Sequence, residues 1–349
     1  MLLVISMAVV IWGAGMITGA PARLRWAMLL VLWVSVVIAN ILLPSGHSLR
    51  EATGNEASLW LLLGGGVALI LLYRTWLGRM RMRARPAGAK SEGSLSGGEL
   101  ERYARHIVLR EIGGAGQKSL KKASVLVIGA GGLGSSAILY LAASGVGRIG
   151  VIDDDRVENS NLQRQVIHAD NRIGMLKADS ARDAVRDLNP YVEFDSHRAR
   201  LDLDNAADIF KKYDVILDGT DNFETRYLSN KIAHALGKPL VSGALSQWEG
   251  QLSVFETARK TPCYQCVFPR APGPGLAPGC AEAGVLSPLP GVVGSMMAVE
   301  AVKLITGAGS VLRGEMLIYD ALYGESRKIA LNRREDCPVC GNAGISFAK

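Results

Sequence analysis

Charged residues are scarce in the first 80 positions of this 349-residue chain, which contain five arginines, two glutamates and no lysine or aspartate. Three long apolar runs fill this stretch, at about 2–20, 27–43 and 59–77. Each run is close to the ~20 residues that a helix needs to cross a bilayer. The first run lacks a positively charged n-region, which argues against a cleaved signal peptide. A hairpin of buried core helices is the alternative, but no polar face interrupts the runs. We therefore predict that residues 1–80 form a membrane anchor of three transmembrane helices.

The arginines that flank these runs predict how the anchor is oriented. Arg23 and Arg25 separate the first two runs, and more arginines follow the third: Arg74, Arg79, Arg81, Arg83 and Arg85. By the positive-inside rule, the N-terminus is outside and the chain from residue 80 onwards is in the cytoplasm. We expect a multi-pass inner-membrane protein with a cytoplasmic soluble domain. Much of the net charge of +7 belongs to this arginine run, so it indicates topology and no nucleic-acid partner.

The rest of the chain divides into a linker and a soluble domain. Residues 81–98 are basic at first and then rich in Gly, Ser and Ala, which is typical of a flexible linker. From residue 99 to 349, short apolar strands alternate with helical segments, and this pattern predicts a mostly parallel sheet with helices on both faces. After residue 251 the alternation becomes that of antiparallel strands. The predicted fold class is therefore α/β, Rossmann-like, with added antiparallel strands.

A glycine-rich turn follows the first predicted strand, at residues 125–128. Gly129, Gly131 and Gly134 form a G-x-G-x-x-G pattern, and a helical segment begins near Leu133. Such glycines allow a tight turn, close approach of backbone N–H groups to a phosphate, and packing of helix on strand. Asp153 ends the next strand, where an acidic residue commonly binds a ribose hydroxyl. The pattern predicts a nucleotide site; a glycine-rich turn that binds nothing is the alternative.

Polar and charged residues follow the strands that come next. These candidates for binding the phosphates are Ser160, Asn161, Gln163, Arg164, Lys177, Asp221 and Asn222. A dehydrogenase has little use for Arg164 and Lys177 beside the ribose carboxylate. A triphosphate cleaved between its α and β phosphates needs fixed cations, and Mg²⁺ needs a carboxylate such as Asp221. These residues indicate ATP with Mg²⁺, although each alone is also compatible with an ordinary solvated charge.

The five cysteines comprise two Cys-x-x-Cys pairs and one further residue. The pairs, Cys263 with Cys266 and Cys337 with Cys340, are suited to a closed tetrahedral Zn²⁺ site. A redox role is the alternative, but such a motif usually begins a helix after a strand. Cys280 lies in a segment rich in Pro and Gly. It is either a small buried apolar residue or a catalytic thiol.

The ordered motifs of residues 97–345 resemble the ThiF/MoeB/HesA branch of the ubiquitin-activating-enzyme superfamily, and most closely its molybdopterin-synthase adenylyltransferases. The motifs include RYARHIVL, GAGGLGS, DDDRVENSNLQRQ, LDGTDNFETR and CAEAGVLSPLPGVVGS. The resemblance implies an enzyme that uses ATP to adenylylate the C-terminal Gly-Gly of a ubiquitin-fold sulfur carrier and releases pyrophosphate. In this case the implied carrier is the small subunit of molybdopterin synthase, in molybdenum cofactor biosynthesis.

The resemblance also implies roles for single residues. Gly132 contacts the phosphates, Asp153 binds the ribose, and Asn161, Arg164 and Lys177 bind the polyphosphate. Asp221 and Asn222 contact metal and adenylate. Arg105 matches an arginine inserted from a neighbouring subunit, which implies a homodimer, and Cys280 matches a cysteine that some relatives use to carry sulfur or a thioester. The motifs are not followed by a sulfurtransferase-like domain, so a separate sulfur donor is expected.

Three other functions remain open. The carrier could be of the thiamine type, the domain could be an NAD(P)-dependent oxidoreductase, or it could be a docking protein without activity. The set formed by Asp153, Arg164, Lys177 and Asp221 argues against an inactive protein.

Overall fold

The computed structural model describes residues 2–84, 95–273 and 283–341. The chain forms two compact units, Met1–Ala89 and Lys90–Lys349. The predicted loop around Cys280 lies partly outside the described residues, and Cys280 itself lies outside them.

The first unit consists of helices, as its long apolar runs predict. They are α1 (Leu2–Ile17), α2 (Ala22–Leu42), α3 (Ser48–Thr53) and α4 (Ala57–Ala84). A small apolar cluster joins Val4, Val36 and Trp60. Polar contacts add to it, because Asn40 Nδ2 donates to Thr53 Oγ1 at 2.8 Å and Trp60 Nε1 donates to the Thr53 carbonyl at 2.9 Å.

Length and composition qualify only part of this unit for crossing a membrane. Ala22–Leu42 and Ser48–Leu77 are long and apolar enough. Helix α1, with 16 residues, extends about 24 Å, which is short of a hydrocarbon core of about 30 Å. Leu289–Thr306 meets the same criteria, but that helix belongs to the core of the second unit. The three-span anchor therefore stays a prediction.

The second unit is built on a sheet of eight strands in its described residues. They are β1 (Ser124–Ile128), β2 (Arg148–Ile152), β3 (Glu193–His197), β4 (Val215–Asp218), β5 (Leu240–Leu245), β6 (Glu249–Phe255), β7 (Glu315–Asp320) and β8 (Glu325–Ala330). Their order is β3-β2-β1-β4-β5-β6-β7-β8. The first five of these are parallel and the last three pairings are antiparallel, as the change of sequence pattern after residue 251 predicts.

The direction of winding reverses beside β1. The chain passes from β1 to β2 and β3 on one side, then returns to β4 on the other side. Open α/β sheets form their ligand crevice at the carboxyl ends of the strands where this reversal occurs. The central strands β1 and β4 are buried along almost their whole length, which explains their apolar sequences.

Helices cover both faces of the sheet. They are α5 (Gly97–Arg102), α6 (Ala104–Ile107), α7 (Gly113–Lys122), α8 (Gly132–Ser144), α9 (Lys177–Leu188), α10 (Ala206–Phe210), α11 (Phe223–Ala235), α12 (Tyr264–Val267) and α13 (Leu289–Thr306). Helices α8, α9 and α13 contribute to one apolar core, and α10, α11 and α12 contribute to the other. Close packing of α13 on α8 requires Gly294, where a Cβ would overlap the Leu133 carbonyl oxygen.

Within the predicted linker of residues 81–98, helix α4 continues to Ala84, and residues 85–94 lie outside the described residues. Ser96 then caps α5, with reciprocal hydrogen bonds between Ser96 and Glu99. The segment 99–113 is divided into α5, α6 and the start of α7, with a break at residues 108–112.

Candidate active site

A cavity of about 790 Å³ opens at the carboxyl ends of β1, β2 and β4. Most of the predicted nucleotide-site residues line it: Gly129, Gly131, Gly132, Asp153, Asn161, Arg164, Lys177, Asp221 and Asn222. These residues are as much as 93 positions apart in sequence (222 − 129), and the winding of the sheet brings them to one crevice. The far wall is formed by β5, β6 and Met316 of β7.

The glycine-rich turn has the geometry that its pattern predicts. Gly129 has φ of +87°, a left-handed conformation that strongly favours glycine. Helix α8 begins at Gly132, so its N-terminal N–H groups and dipole lie at the cavity. Gly134 does not line the cavity; a Cβ there would overlap the Gly129 carbonyl oxygen, so its role is to let helix pack on turn.

Asp153 supports this turn directly. Its Oδ2 accepts from the Ala130 N–H at 2.7 Å and its Oδ1 from the Asp155 N–H at 2.9 Å. Burial raises the pKa of this carboxyl, although the two backbone donors and Lys177 oppose the rise. Each carboxylate oxygen can accept more than one hydrogen bond, so Asp153 can hold the turn and still accept from a ribose hydroxyl.

The carbonyl side of the same residue, Ala130, is held by His168, a residue that sequence reasoning missed. His168 Nε2 lies 3.0 Å from the Ala130 carbonyl oxygen, and Nδ1 lies 2.9 Å from Ser180 Oγ. Burial lowers the pKa of His168 to about 4, and the nearby cations Lys177 and Arg172 act in the same direction. The imidazole is therefore neutral at physiological pH.

Two predicted cations lie at the cavity in different environments. Lys177 is the first residue of α9 and is 7 % exposed, and its Nζ pairs with Asp155 Oδ2 at 2.7 Å. Arg164 is half-buried, and its Nη1 donates to the Ser160 carbonyl at 3.1 Å. Arg156 and Arg200 also line the cavity, so several positive charges converge on the space beside the turn. Acidic side chains line the same cavity, so a phosphate group is favoured locally beside Arg164 and Lys177 and not by the net charge of the wall.

The loop after β4 carries the predicted acidic residue. Asp218 is buried, and its Oδ1 accepts from the N–H and the Oγ1 of Thr220 at 3.0 and 2.7 Å. Arg226, another residue missed from sequence, is buried and donates to the Thr220 carbonyl and to the Gly243 carbonyl. These hydrogen bonds fix the backbone of the loop at Thr220, and the next residue, Asp221, is exposed at the cavity.

Other predicted site residues lie elsewhere or have a second role. Ser160 and Gln163 are exposed and do not line the cavity. Asn222 lines it, but its Oδ1 also caps α11 by accepting from the Thr225 N–H at 2.9 Å. Arg105 is exposed on α6 and is not part of the cavity wall.

The four paired cysteines meet in one buried cluster. The Sγ distances are 3.6 Å between Cys263 and Cys337, 3.3 Å between Cys266 and Cys340, and 3.9 Å between Cys263 and Cys266. Tetrahedral Zn²⁺ with Zn–S bonds of about 2.3 Å places its sulfurs about 3.8 Å apart. Burial and the neighbouring sulfurs raise the pKa of the Cys263 thiol. The cluster could thus hold a tetrahedral ion, whose charge would offset the cost of buried thiolates.

The sheet reverses its direction of winding beside β1, and the glycine-rich turn and the cavity with Arg164 and Lys177 lie at that point. Together these features define a nucleotide-binding α/β protein. The model of the ThiF family matches residues 103–339, more than half of the chain. The chain belongs to the ThiF family, as its motifs predict, and is an enzyme of the adenylyltransferase class.

Individual relatives agree with this assignment. A sulfur carrier protein adenylyltransferase of Thermus thermophilus is 49 % identical over 70 % of this chain and 92 % of its own length. An enzyme named SAMP-activating enzyme E1, from Haloferax volcanii, is 48 % identical over 72 % of this chain and 93 % of its own. The crystal structure of E. coli MccB with ATP shares the fold, with a TM-score of 0.58 and 21 % identity, over 65 % of this chain and 69 % of MccB.

Proposed function

We propose that this enzyme transfers AMP from ATP to the C-terminal glycine of a ubiquitin-fold sulfur carrier protein. The observation that carries the proposal is the cavity in which Arg164, Lys177 and Asp221 meet the glycine-rich turn. The Thermus thermophilus relative, named for this activity, supports the substrate class. The cavity extends along β5 and β6, and we place the glycine tail of the carrier there.

The reaction is one displacement at phosphorus. A carboxylate oxygen of the carrier attacks the α-phosphorus of ATP, the bond from this phosphorus to the α–β bridging oxygen breaks, and pyrophosphate leaves with the electron pair. No thiol takes part. The products are an acyl-adenylate and pyrophosphate, and no proton has to move because the nucleophile is already ionised.

The residues of the cavity would divide the work. The N-terminus of α8 and the peptide groups of Gly131 and Gly132 would bind phosphate oxygens, while Asp153 accepts from the ribose. Arg164 and Lys177 are already oriented by their hydrogen bonds and would stabilise charge that develops on pyrophosphate. Asp221 is the carboxylate that would hold Mg²⁺, which neutralises phosphate charge when bound.

Carrier-dependent exchange of labelled pyrophosphate into ATP tests this proposal. We expect exchange only when a carrier with an intact C-terminal Gly-Gly is added, and none with a carrier that lacks the last glycine. An oxidoreductase would instead bind dinucleotide and show no exchange, and a docking protein would bind the carrier without exchange. Either result would refute the proposed reaction.

Molybdopterin-synthase small subunit is the carrier that we propose, with the thiamine-type carrier as the second candidate. The sequence motifs resemble the molybdopterin enzymes most closely, and this supports the first choice. Exchange rates measured side by side with the two carriers would decide between them. A separate protein would then supply sulfur to the adenylylated carrier.

Zn²⁺ in the four-cysteine cluster is proposed as a structural ion. The support is the set of sulfur distances and the burial of all four residues. A four-thiolate site has no open position for chemistry. We expect Cys263→Ser to release the metal and lower stability, whereas Cys280→Ser should keep both the metal and pyrophosphate exchange. Release of the metal by Cys280→Ser would contradict this ligand set.

A homodimer is proposed because Arg105 matches an arginine that relatives insert into a partner's site. Its exposure, away from the cavity of its own chain, is compatible with action across an interface. In a doubly tagged heterodimer of Arg105→Ala with Asp221→Ala, one site carries both changes and the other carries neither. Activity of about half the wild-type value is expected from symmetry. An inactive heterodimer would mean that Arg105 acts within its own subunit.

The inner membrane is the proposed location, with the catalytic unit in the cytoplasm. Two long apolar segments of the first unit and the arginines near residue 80 support it. A phosphatase reporter that is active only outside the cytoplasm should be active when fused after Ser48 and inactive after Arg85. The reverse pattern would contradict this topology.

A further inference from the structure

We propose that His168 is a positioning residue that aims the backbone of the glycine-rich turn at the phosphates of ATP. The inference deepens the proposed function, because it assigns to a buried histidine the selectivity of the site for phosphorylated nucleotide. His168 does not line the cavity, so it would act through the Ala130–Gly131 peptide group.

The hydrogen bonds of His168 determine its tautomer. The Ala130 carbonyl oxygen can only accept, so Nε2 must carry the proton and donate to it. In the neutral imidazole Nδ1 is then an acceptor, and the hydroxyl of Ser180 donates to it. Ser180 is fully buried and His168 nearly so, which leaves little freedom to either side chain.

Peptide planarity carries this bond to the cavity. The Ala130 carbonyl and the Gly131 N–H belong to one trans peptide group, in which C=O and N–H point in opposite directions. When Nε2 of His168 holds the carbonyl on the protein side, the Gly131 N–H is directed away from His168. Gly131 is a cavity-lining residue and the N-cap of α8, so this N–H faces the place expected for phosphate.

The preceding peptide group is fixed as well. Asp153 Oδ2 accepts from the Ala130 N–H at 2.7 Å, so Ala130 is held on both sides by side chains from outside the turn. The two residues that follow Ala130, Gly131 and Gly132, lack a Cβ and could otherwise adopt many backbone conformations. A fixed peptide plane removes this freedom before ATP arrives, which favours binding of an anion.

The experiment uses the full-length protein in detergent and two amide replacements. The amide of glutamine reaches the position of Nε2, whereas that of asparagine reaches only the position of Nδ1. His168→Gln should therefore keep a donor to Ala130, and His168→Asn should lose it while keeping a partner for Ser180. Affinities for ATP and for adenosine are measured by calorimetry on both variants.

We expect His168→Asn to weaken ATP binding about tenfold or more, since a hydrogen bond to a charged group is misdirected. Adenosine binding should change less than twofold, and His168→Gln should stay within about threefold of wild type for both ligands. Ser180→Ala should give a smaller loss in the same direction. His234→Phe is the matched control, because His234 bonds Thr257 away from the cavity.

Parallel losses of ATP and adenosine affinity would overturn the proposal, since they indicate a general structural defect. Equal ATP affinities of the two amide variants would overturn it too. These measurements need no carrier protein. Suppose that wild type binds ATP but that none of the tested carriers supports pyrophosphate exchange. The proposed function then fails, while the role of His168 is still decided by the ATP and adenosine affinities.

Discussion

The two loops at the switch point of the sheet are built alike but present different chemistry. In each, one residue is held on its N–H by an aspartate and on its carbonyl by a basic side chain. Asp153 and His168 hold Ala130 after β1, and Asp218 and Arg226 hold Thr220 after β4. Adjacent parallel strands are thus each followed by one residue, Ala130 or Thr220, whose two flanking peptide groups are held by side chains.

What the loops then expose differs. The loop after β1 continues into glycines, so it offers main-chain N–H groups that suit the ground-state phosphates. The loop after β4 continues into Asp221 and Asn222, so it offers side chains. We infer that the first loop supplies mainly binding and the second, with Arg164, mainly acceleration of the reaction.

The largest effect is expected at the side-chain loop. Asp221→Ala should lower pyrophosphate exchange about a thousandfold, because a group that acts on transition-state charge is lost. ATP affinity should fall far less. Asp208→Ala, which removes an exposed acid paired with Lys211 on α10, is the control. If ATP affinity fell as much as the exchange rate, both loops would be binding loops and the contrast would fail.

Arg164→Ala should come next, with exchange reduced about a hundredfold. Lys177 and the N-terminus of α8 still act on the phosphates, so the nucleotide should bind with modest loss. Rate and affinity are compared on the same preparation. Equal losses would assign Arg164 to ground-state binding, together with the glycine-rich turn.

A pair of glycine variants tests the main-chain loop. Gly134→Ala forces the helix away from the Gly129 carbonyl and should weaken ATP binding about thirtyfold, as overpacking costs ~2 kcal/mol. Gly131→Ala, whose Cβ would lie 3.8 Å from Gln165 Nε2, should stay within about threefold. The reverse order would mean that phosphate contact, and not helix packing, limits the turn.

The smallest effect distinguishes by pH the two basic side chains that hold the loop carbonyls, His168 and Arg226, which we call the clamps. Burial lowers the pKa of His168 to about 4 in the folded protein. Below pH 6.5 the unfolded chain therefore binds a proton at His168 that the folded protein does not bind, which lowers stability as the pH falls. Wild type should lose roughly tenfold in folding equilibrium between pH 7 and 5.5 relative to His168→Gln. Lys177 and Arg172, the cations that act on the pKa of His168, are present in both proteins, so their own contributions largely cancel.

Arg226→Gln is the matched variant for comparison with His168→Gln. A guanidinium stays charged over this range, so the difference in melting temperature from wild type should not change with pH. A pH-dependent difference at Arg226, or none at His168, would remove the distinction between a neutral and a charged clamp.

Patterns of glycine, charge and hydrophobicity predict much of the fold and the lining of the cavity. The strand at residues 125–128, the next strand before Asp153, the α/β fold class and the convergence of Asp153, Arg164, Lys177 and Asp221 are all found in the structure. These features depend on local period and on the rule that parallel strand ends share one edge, so sequence alone contains them.

The clamps could not be predicted in the same way. His168 and Arg226 act on peptide groups 38 and 6 residues away, and nothing in their spacing marks them. A buried histidine or arginine is visible only when its acceptors are known. Proximity to Arg164 in sequence predicts Ser160 and Gln163 as site residues, but both are exposed and do not line the cavity.

The proposed metal in the cysteine cluster would make two of the eight strands of this sheet depend on the supply of metal. The pairs are 74 residues apart and enclose α13, β7 and β8, so a bound ion closes that segment into a ring. A cross-link that persists in the unfolded state and closes a loop of this length removes chain entropy worth about 4–5 kcal/mol in the simplest model, which is an upper bound for a metal ion. β8 is an exposed edge strand, and β7 contributes Met316 to the far wall of the cavity. Under this proposal, shortage of the ion would loosen β7 and β8, and with them Met316 of the cavity wall, before the nucleotide turn.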